Sequence, residues 1–150
     1  MKLNDFTDYT LRVLMFLAVA DDEPVSAQTI AERFGISFHH IAKVAQWLSR
    51  SGYVSSMRGR GGGMKLAVPA TQITIGAIVR AAERDVAIVE CLKPGPGPIQ
   101  CKLSPACLLE PTIREARDAF YASLDQKSLA DITENRTHLR RMLGLDTLPA

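Results

Sequence analysis

Cys91, Cys101 and Cys107 are the chain's only cysteines, and all three fall within one short stretch. Cys91 and Cys101 enclose Leu-Lys-Pro-Gly-Pro-Gly-Pro-Ile-Gln, and Cys107 closes a Ser-Pro-Ala-Cys run. So much proline and glycine excludes regular helix or strand, which leaves a loop with three thiols on it. Three thiolates on one loop can hold an iron–sulfur cluster, a zinc ion or a redox disulfide. Structural zinc sites use close C-x-x-C knuckles, whereas nine and five residues separate these cysteines, a poor fit. A cluster is bulkier and accepts wider spacing. An odd cysteine count and a reducing compartment both oppose structural disulfides. Three unrelated thiols remain the plain alternative, but the loop's composition opposes burying all of them. A [4Fe-4S] cluster needs a fourth ligand that is not cysteine. His39, His40, His138, Asp8 and a glutamate near the loop are the candidates, and a [2Fe-2S] cluster is the alternative. No nucleophile–base constellation is present, since none of the three histidines lies near the cysteines in sequence, so the chain is not expected to be an enzyme.

Charge gives the second lead. Net charge is only +2, but between Glu32 and Glu83 there are seven bases (Arg33, Lys43, Arg50, Arg58, Arg60, Lys65, Arg80) and no acid. Residues 83–150 balance nine bases with ten acids. A one-sign field on part of a fold points to a polyanion, most simply nucleic acid. The longest apolar run, residues 13–20, is too short to span a bilayer and ends on acids. The first residues, Met-Lys-Leu-Asn-Asp, do not read as a signal peptide, so a cytoplasmic protein with no membrane partner is expected.

The elements that must carry these groups follow from periodicity. Residues 5–20 predict a helix with Leu11, Leu14, Met15 and Ala18 on one face, capped by Asp5 or Thr7. Ser26 caps a second helix that stops at Gly35. Ser37 caps a third, to about residue 51, with Ile41, Val44, Ala45 and Leu48 inward. Two short helices joined across Phe34-Gly35-Ile36-Ser37 form a helix-turn-helix pattern. Residues 53–57 and 64–68 alternate like strands around Arg58-Gly59-Arg60-Gly61-Gly62-Gly63, a β-hairpin with a basic tip, or wing. The Walker phosphate-loop pattern is absent. Thr74 caps a short helix over residues 74–82. A long helix at 112–124 carries an apolar seam of Ile113, Ala116, Phe120 and Leu124, and the tail, 128–145, reads as one more short helix. The candidate DNA contacts are Ser26 and Gln28 on the second helix; Ser37, Phe38, His39, His40 and Lys43 on the third; Arg50 at its end; and Arg58, Arg60 and Lys65 in the wing.

Phe6-Thr7-Asp8-Tyr9, Leu48-Ser49-Arg50-Ser51-Gly52-Tyr53-Val54, the Arg-Gly-Arg-Gly-Gly-Gly wing and Pro105-Ala106-Cys107 together make the chain resemble the winged-helix iron–sulfur repressors. That family has a nitric-oxide-sensing NsrR branch and an iron–sulfur-status IscR branch, and the resemblance covers essentially the whole chain. It implies homodimers joined through the long helix, palindromic double-stranded operators and a cluster on Cys91, Cys101 and Cys107. In the NsrR branch an aspartate of the partner's first helix, corresponding to Asp8, is the fourth ligand. In the IscR branch a histidine three residues after the last cysteine serves, and Glu110 stands there, so the resemblance is nearer to NsrR. The Cys91–Cys101 gap is wider than the family pattern.

The expected architecture is mainly α with a small β wing. It comprises a winged helix-turn-helix domain (1–84), a cysteine loop for a cluster (85–111) and a long C-terminal dimerisation helix with a tail (112–150). The expected function is a dimeric repressor that releases operator DNA when nitric oxide nitrosylates or removes its cluster. An iron–sulfur or redox-status regulator is the rival within that class. An iron–sulfur carrier or thiol accessory protein is the rival outside it.

Overall fold

The computed structural model describes residues 2–57, 59, 61–83, 87–93 and 101–147. Helix α1 (Asp5–Ala18) is the central element and buries Val13, Leu14, Phe16 and Leu17. Its cap is Asn4 rather than Asp5 or Thr7: the Asn4 side chain accepts a hydrogen bond from the Thr7 N–H at 2.8 Å. Thr10 is fully buried, and its hydroxyl donates back to the Phe6 carbonyl at 2.7 Å.

Helix α2 (Ala27–Phe34) begins at Ser26 and ends where Gly35 takes φ +63, a left-handed turn that costs glycine little. Helix α3 (Phe38–Arg50) is capped by Ser37 and buries Ile41, Val44 and Leu48. Both α2 and α1 pack on α3. Complete burial of side chains such as Phe16, Ile30, Ile41 and Leu48 contributes roughly 1.5–3 kcal/mol each.

Strands β1 (Val54–Met57) and β2 (Gly63–Leu66) pair antiparallel, with Val54 opposite Leu66 and Met57 opposite Gly63. The hairpin is tied to the body by a bridge in which the Val25 and Met64 backbones exchange hydrogen bonds of 2.9 and 2.8 Å. That approach requires Gly63. A β-carbon there would lie 2.7–2.8 Å from backbone atoms of Pro24 and Val25.

Helix α4 (Ile75–Ala82), capped by Thr74, packs on α1 and on α5 (Leu109–Asp125). The long helix starts three residues before the expected Thr112. Pro111 is accommodated in its first turn, where the missing N–H has no intrahelical partner to lose. The tail forms two helices rather than one, α6 (Leu129–Ile132) and α7 (Arg136–Met142). Ser128 and Asp131 close a capping box at the start of α6. The tail folds back so that Leu129 and Leu145 join the main core beside α1. Arg136 and Arg140 of α7 donate to the Ala18 and Val19 carbonyls at the C-terminal end of α1 and both pair with Asp21. The cations meet the negative end of the helix dipole there, and the Arg136 hydrogen bond leads in holding the Asp21 carboxyl below its ordinary range.

Candidate functional site

The Ser37 cap fixes the start of α3 and leaves its first turn facing solvent. Ser37, Phe38, His39, His40 and Lys43 are all exposed, Phe38 at 53%. Phe38 stands among polar and basic side chains on that turn, so the exposed surface there is mixed rather than an apolar patch. Arg50 is exposed at the other end of the helix. His40 stacks on Tyr9 of α1 with ring centroids 5.7 Å apart. Ser26 caps α2 through the Thr29 N–H at 3.0 Å, and Gln28 is exposed with its amide donating to Glu32 at 2.7 Å. Lys65 is half-buried on β2. Arg58 and Arg60, the basic tip of the wing, lie outside the described residues.

Cys91 lies in a 3-10 turn, Glu90–Leu92. Cys107 follows another, Ser104–Ala106, whose first N–H donates to the Cys101 carbonyl at 2.9 Å. All three are free thiols; Cys91 and Cys101 are exposed and Cys107 is half-buried. Among the described residues, no group of three or more His, Cys, Asp and Glu side chains is close enough to hold a metal ion. The chain alone does not bring the predicted ligands together. Their chemistry nevertheless suits a cluster: three soft donors outside the core, none in a disulfide. Leu103, Leu108 and Leu109 stand beside them at 70, 81 and 62% exposure. Cys107 and those leucines line a depression of about 380 Å³. Uncovered apolar side chains at this density call for something to cover them.

Asp8 is on α1, distant in sequence from the cysteines. Its carboxylate pairs with Arg12 one turn on at 2.9 Å, with both side chains about half exposed. Spacing of i, i+4 made that pair legible in the sequence, and at such exposure it contributes roughly 0.2–1 kcal/mol.

Two connections were not anticipated. Glu83, at the C-terminal cap of α4 and just ahead of the cysteine segment, accepts from both the Asn4 backbone N–H at 2.9 Å and the Asn4 side-chain amide at 2.8 Å. The residue that caps α1 is thus bound to the residue from which the cysteine segment departs. Phe6 of α1 also meets Trp47 of α3 edge-on, centroids 5.7 Å apart. The helix bearing Asp8 therefore grips the exposed helix α3 through two aromatic pairs, Phe6–Trp47 and Tyr9–His40. Neither connection has a local sequence signal, because each joins groups far apart along the chain.

Helix α5 has 17 residues, of which only Tyr121 is buried. Burial also leads in pushing the Tyr121 hydroxyl's pKa up. Along the predicted seam, Ile113, Phe120 and Leu124 are half-buried and Ala116 is exposed. Phe120 and Leu124 pack partly against Ile75 and Val79 of α4. Arg80 fastens the helix by pairing with Asp125, one bond at 2.8 Å, and its guanidinium lies 4.8 Å from the Tyr121 ring centre. Asp125 is held below its ordinary range, first by the Arg80 hydrogen bond.

A helix-turn-helix with an exposed second helix and an adjoining two-stranded wing defines a winged-helix DNA-binding regulator. Residues 3–135 match the family model for Rrf2, described as an iron-dependent transcriptional regulator, and the chain belongs to that family. It is 41% identical over 144 residues to the HTH-type transcriptional regulator NsrR of Geobacillus kaustophilus, covering 95% of this chain and 97% of that one. To NsrR of Bacillus subtilis it is 41% identical over 146 residues, covering 97 and 99%. Among solved structures, CymR, the global cysteine regulator of B. subtilis, superposes with a TM-score of 0.69 at 27% identity, covering 90% of this chain and 98% of that one. T. potens IscR superposes with a TM-score of 0.68 at 25% identity, covering 90 and 88%. The chain is thus a transcriptional regulator and not an enzyme. Among its described residues no helix is long and apolar enough to cross a membrane.

Proposed function

We propose that this chain forms a cytoplasmic homodimeric repressor that binds palindromic operator DNA and senses nitric oxide through an iron–sulfur cluster, most simply [4Fe-4S]. The observation that carries the reading is the set of three free, accessible thiols on the segment that leaves α4 at Glu83, joined through Asn4 to the helix that packs on α3. Similarity to regulators named NsrR supports the choice of signal. Cys91, Cys101 and Cys107 would hold the cluster, with Asp8 of the partner subunit as fourth ligand. The chemistry a cluster supplies when bound there is iron that reacts with nitric oxide.

The chain's own residues do the rest. A carboxylate is a harder ligand than thiolate, so Asp8 would be the weakest of the four protein ligands and the one most readily released. Arg12, at 2.9 Å, offers that carboxylate a resting partner when it is not a ligand. Leu103, Leu108 and Leu109, exposed beside Cys107, would give a cluster held there an apolar border. Helix α3 enters the major groove through Ser37, Phe38, His39, His40 and Lys43, while Ser26 and Gln28 on α2, Arg50 at the end of α3 and Lys65 on β2 contact the flanking backbone. Arg58 and Arg60 reach the minor groove, whose potential favours guanidinium groups. Ile113, Ala116, Phe120 and Leu124 join the two copies, placing the recognition helices roughly 34 Å apart, one turn of DNA.

The test is anaerobic reconstitution with iron and sulfide, followed by absorbance before and after nitric oxide. Thiolate-to-iron absorption should form, disappear on exposure to nitric oxide, and fail to form in Cys91→Ala, Cys101→Ala and Cys107→Ala. Asp8→Ala should still assemble a cluster, with an altered circular dichroism spectrum. A parent protein that takes up no iron would exclude the reading.

A further inference from the structure

A groove of about 810 Å³ runs between α1, α3 and the end of α4. That volume lies within the roughly 300–1,000 Å³ usual for small-molecule sites. Two aromatic rings line it, Phe6 and Trp47, edge-on to one another at 5.7 Å. Two cations line it as well, Lys43 and Arg50. Lys43, Trp47 and Arg50 fall at i, i+4 and i+7 on α3 and so share one face of the helix. Neither cation has a carboxylate partner among the described residues. The single acid in the lining, Glu83, is already engaged by two hydrogen bonds from Asn4. The groove therefore combines an aromatic surface with two uncommitted positive charges and a satisfied carboxylate.

We infer that this groove binds a small amphipathic anion, an aromatic carboxylate whose ring packs against Phe6 and Trp47 and whose carboxylate pairs with Lys43 and Arg50. Ring against ring favours a flat apolar body. A guanidinium and an ammonium select for the anion, and Arg50 can grip a carboxylate with two parallel hydrogen bonds. Occupancy would withdraw from DNA two of the cations proposed to contact it. Ligand and operator would then weaken one another by the same factor, as linkage requires. That consequence rests on the function proposed above, whereas occupancy does not, so binding is measured first without DNA.

Trp47 is the chain's single tryptophan and lines the groove, so its fluorescence reports binding there. The probe is 3-phenylpropanoate, with 3-phenylpropanol as its uncharged counterpart. The acid should shift or quench Trp47 emission saturably, and the alcohol should bind roughly tenfold or more weakly. Lys43→Gln and Arg50→Gln, both on exposed positions, should each weaken the acid by a similar factor with an unchanged circular dichroism spectrum. A non-saturable response, equal responses to acid and alcohol, or full affinity in both variants would overturn the proposal. Emission that depends on protein concentration but not on the probe would assign the groove to a second copy of the chain, and would also overturn it. If the acid binds as expected yet leaves operator affinity unchanged, the groove stands and the assignment of Lys43 and Arg50 to DNA fails.

Discussion

Asn4→Ala tests whether the start of α1 is held as the structure describes. The substitution removes an acceptor that serves the Thr7 N–H at 2.8 Å and the Thr7 hydroxyl at 3.2 Å, and a donor to Glu83 at 2.8 Å. Loss of an N-cap costs about 1 kcal/mol. The exposed bond to Glu83 adds roughly 0.5 kcal/mol after screening. Thr7 is fully buried, so its hydroxyl losing an acceptor adds about 0.5–1 kcal/mol. The total, about 2 kcal/mol, corresponds to a fall in Tm of roughly 4–8 °C for a chain of this size. Thermal denaturation followed by far-ultraviolet circular dichroism measures it. Asn4→Asp separates the two roles: it keeps the cap but sets a second carboxylate against Glu83. Its loss should be relieved by Glu83→Gln in the same chain, an outcome that additive, independent sites could not give. An Asn4→Ala protein that melts with the parent would refute the reasoning, and would return the cap to Asp5 or Thr7.

Three further outcomes are expected. Ala116 is exposed in the single chain, so Ala116→Asp should leave monomer stability unchanged yet abolish the dimer in sedimentation equilibrium; an intact dimer would remove Ala116 from the interface. A methyl at Gly63 would press on Pro24 and Val25 backbone that cannot turn aside, so Gly63→Ala should cost about 1–3 kcal/mol in urea denaturation and weaken operator binding. Asp125 has a folded pKa below its unfolded value, so its pairing stabilises the protein above the ordinary carboxylate range and is lost as pH falls through the folded value. The stability gap between parent and Asp125→Asn should therefore be open at neutral pH and close below about pH 4; a gap independent of pH would exclude the Arg80–Asp125 pair as its source.

Much of the fold was legible because its signals are local. Ser26, Gly35, Ser37 and Thr74 each mark a helix end through hydrogen bonds or dihedral angles that involve their near neighbours, and the structure has them there. The cap of α1 was misread because Asn4, Asp5 and Thr7 are all competent caps, and Glu83, 79 residues away, favours the first. The start of α5 was placed three residues late, at 112, because the apolar seam begins at Ile113 and the first turn, with Pro111 in it, carries no seam residue. The tail's split into α6 and α7 follows from Leu129 and Leu145 reaching the α1 core, which no window of 18 residues displays. At the site, residue types gave the thiols and the basic stretch. They did not give the Asn4–Glu83 link or the Phe6–Trp47 contact, which exist only once α1, α3 and α4 have packed. The seam on α5 was visible as a period, but a period does not distinguish a face shared with α4 from one meant for a second copy, and Phe120 and Leu124 serve partly the first.

The central claim is that occupancy of the three cysteines controls DNA binding. One measurement tests it most directly: operator affinity of the anaerobic cluster-bearing dimer, at fixed salt, before and after stoichiometric nitric oxide. A coupling of about 1–3 kcal/mol gives a loss of roughly 5–150-fold, with Cys91→Ala, Cys101→Ala and Cys107→Ala already at the weakened value. Equal affinity of the cluster-bearing, nitric-oxide-treated and cysteine-substituted proteins for the same operator would contradict the account.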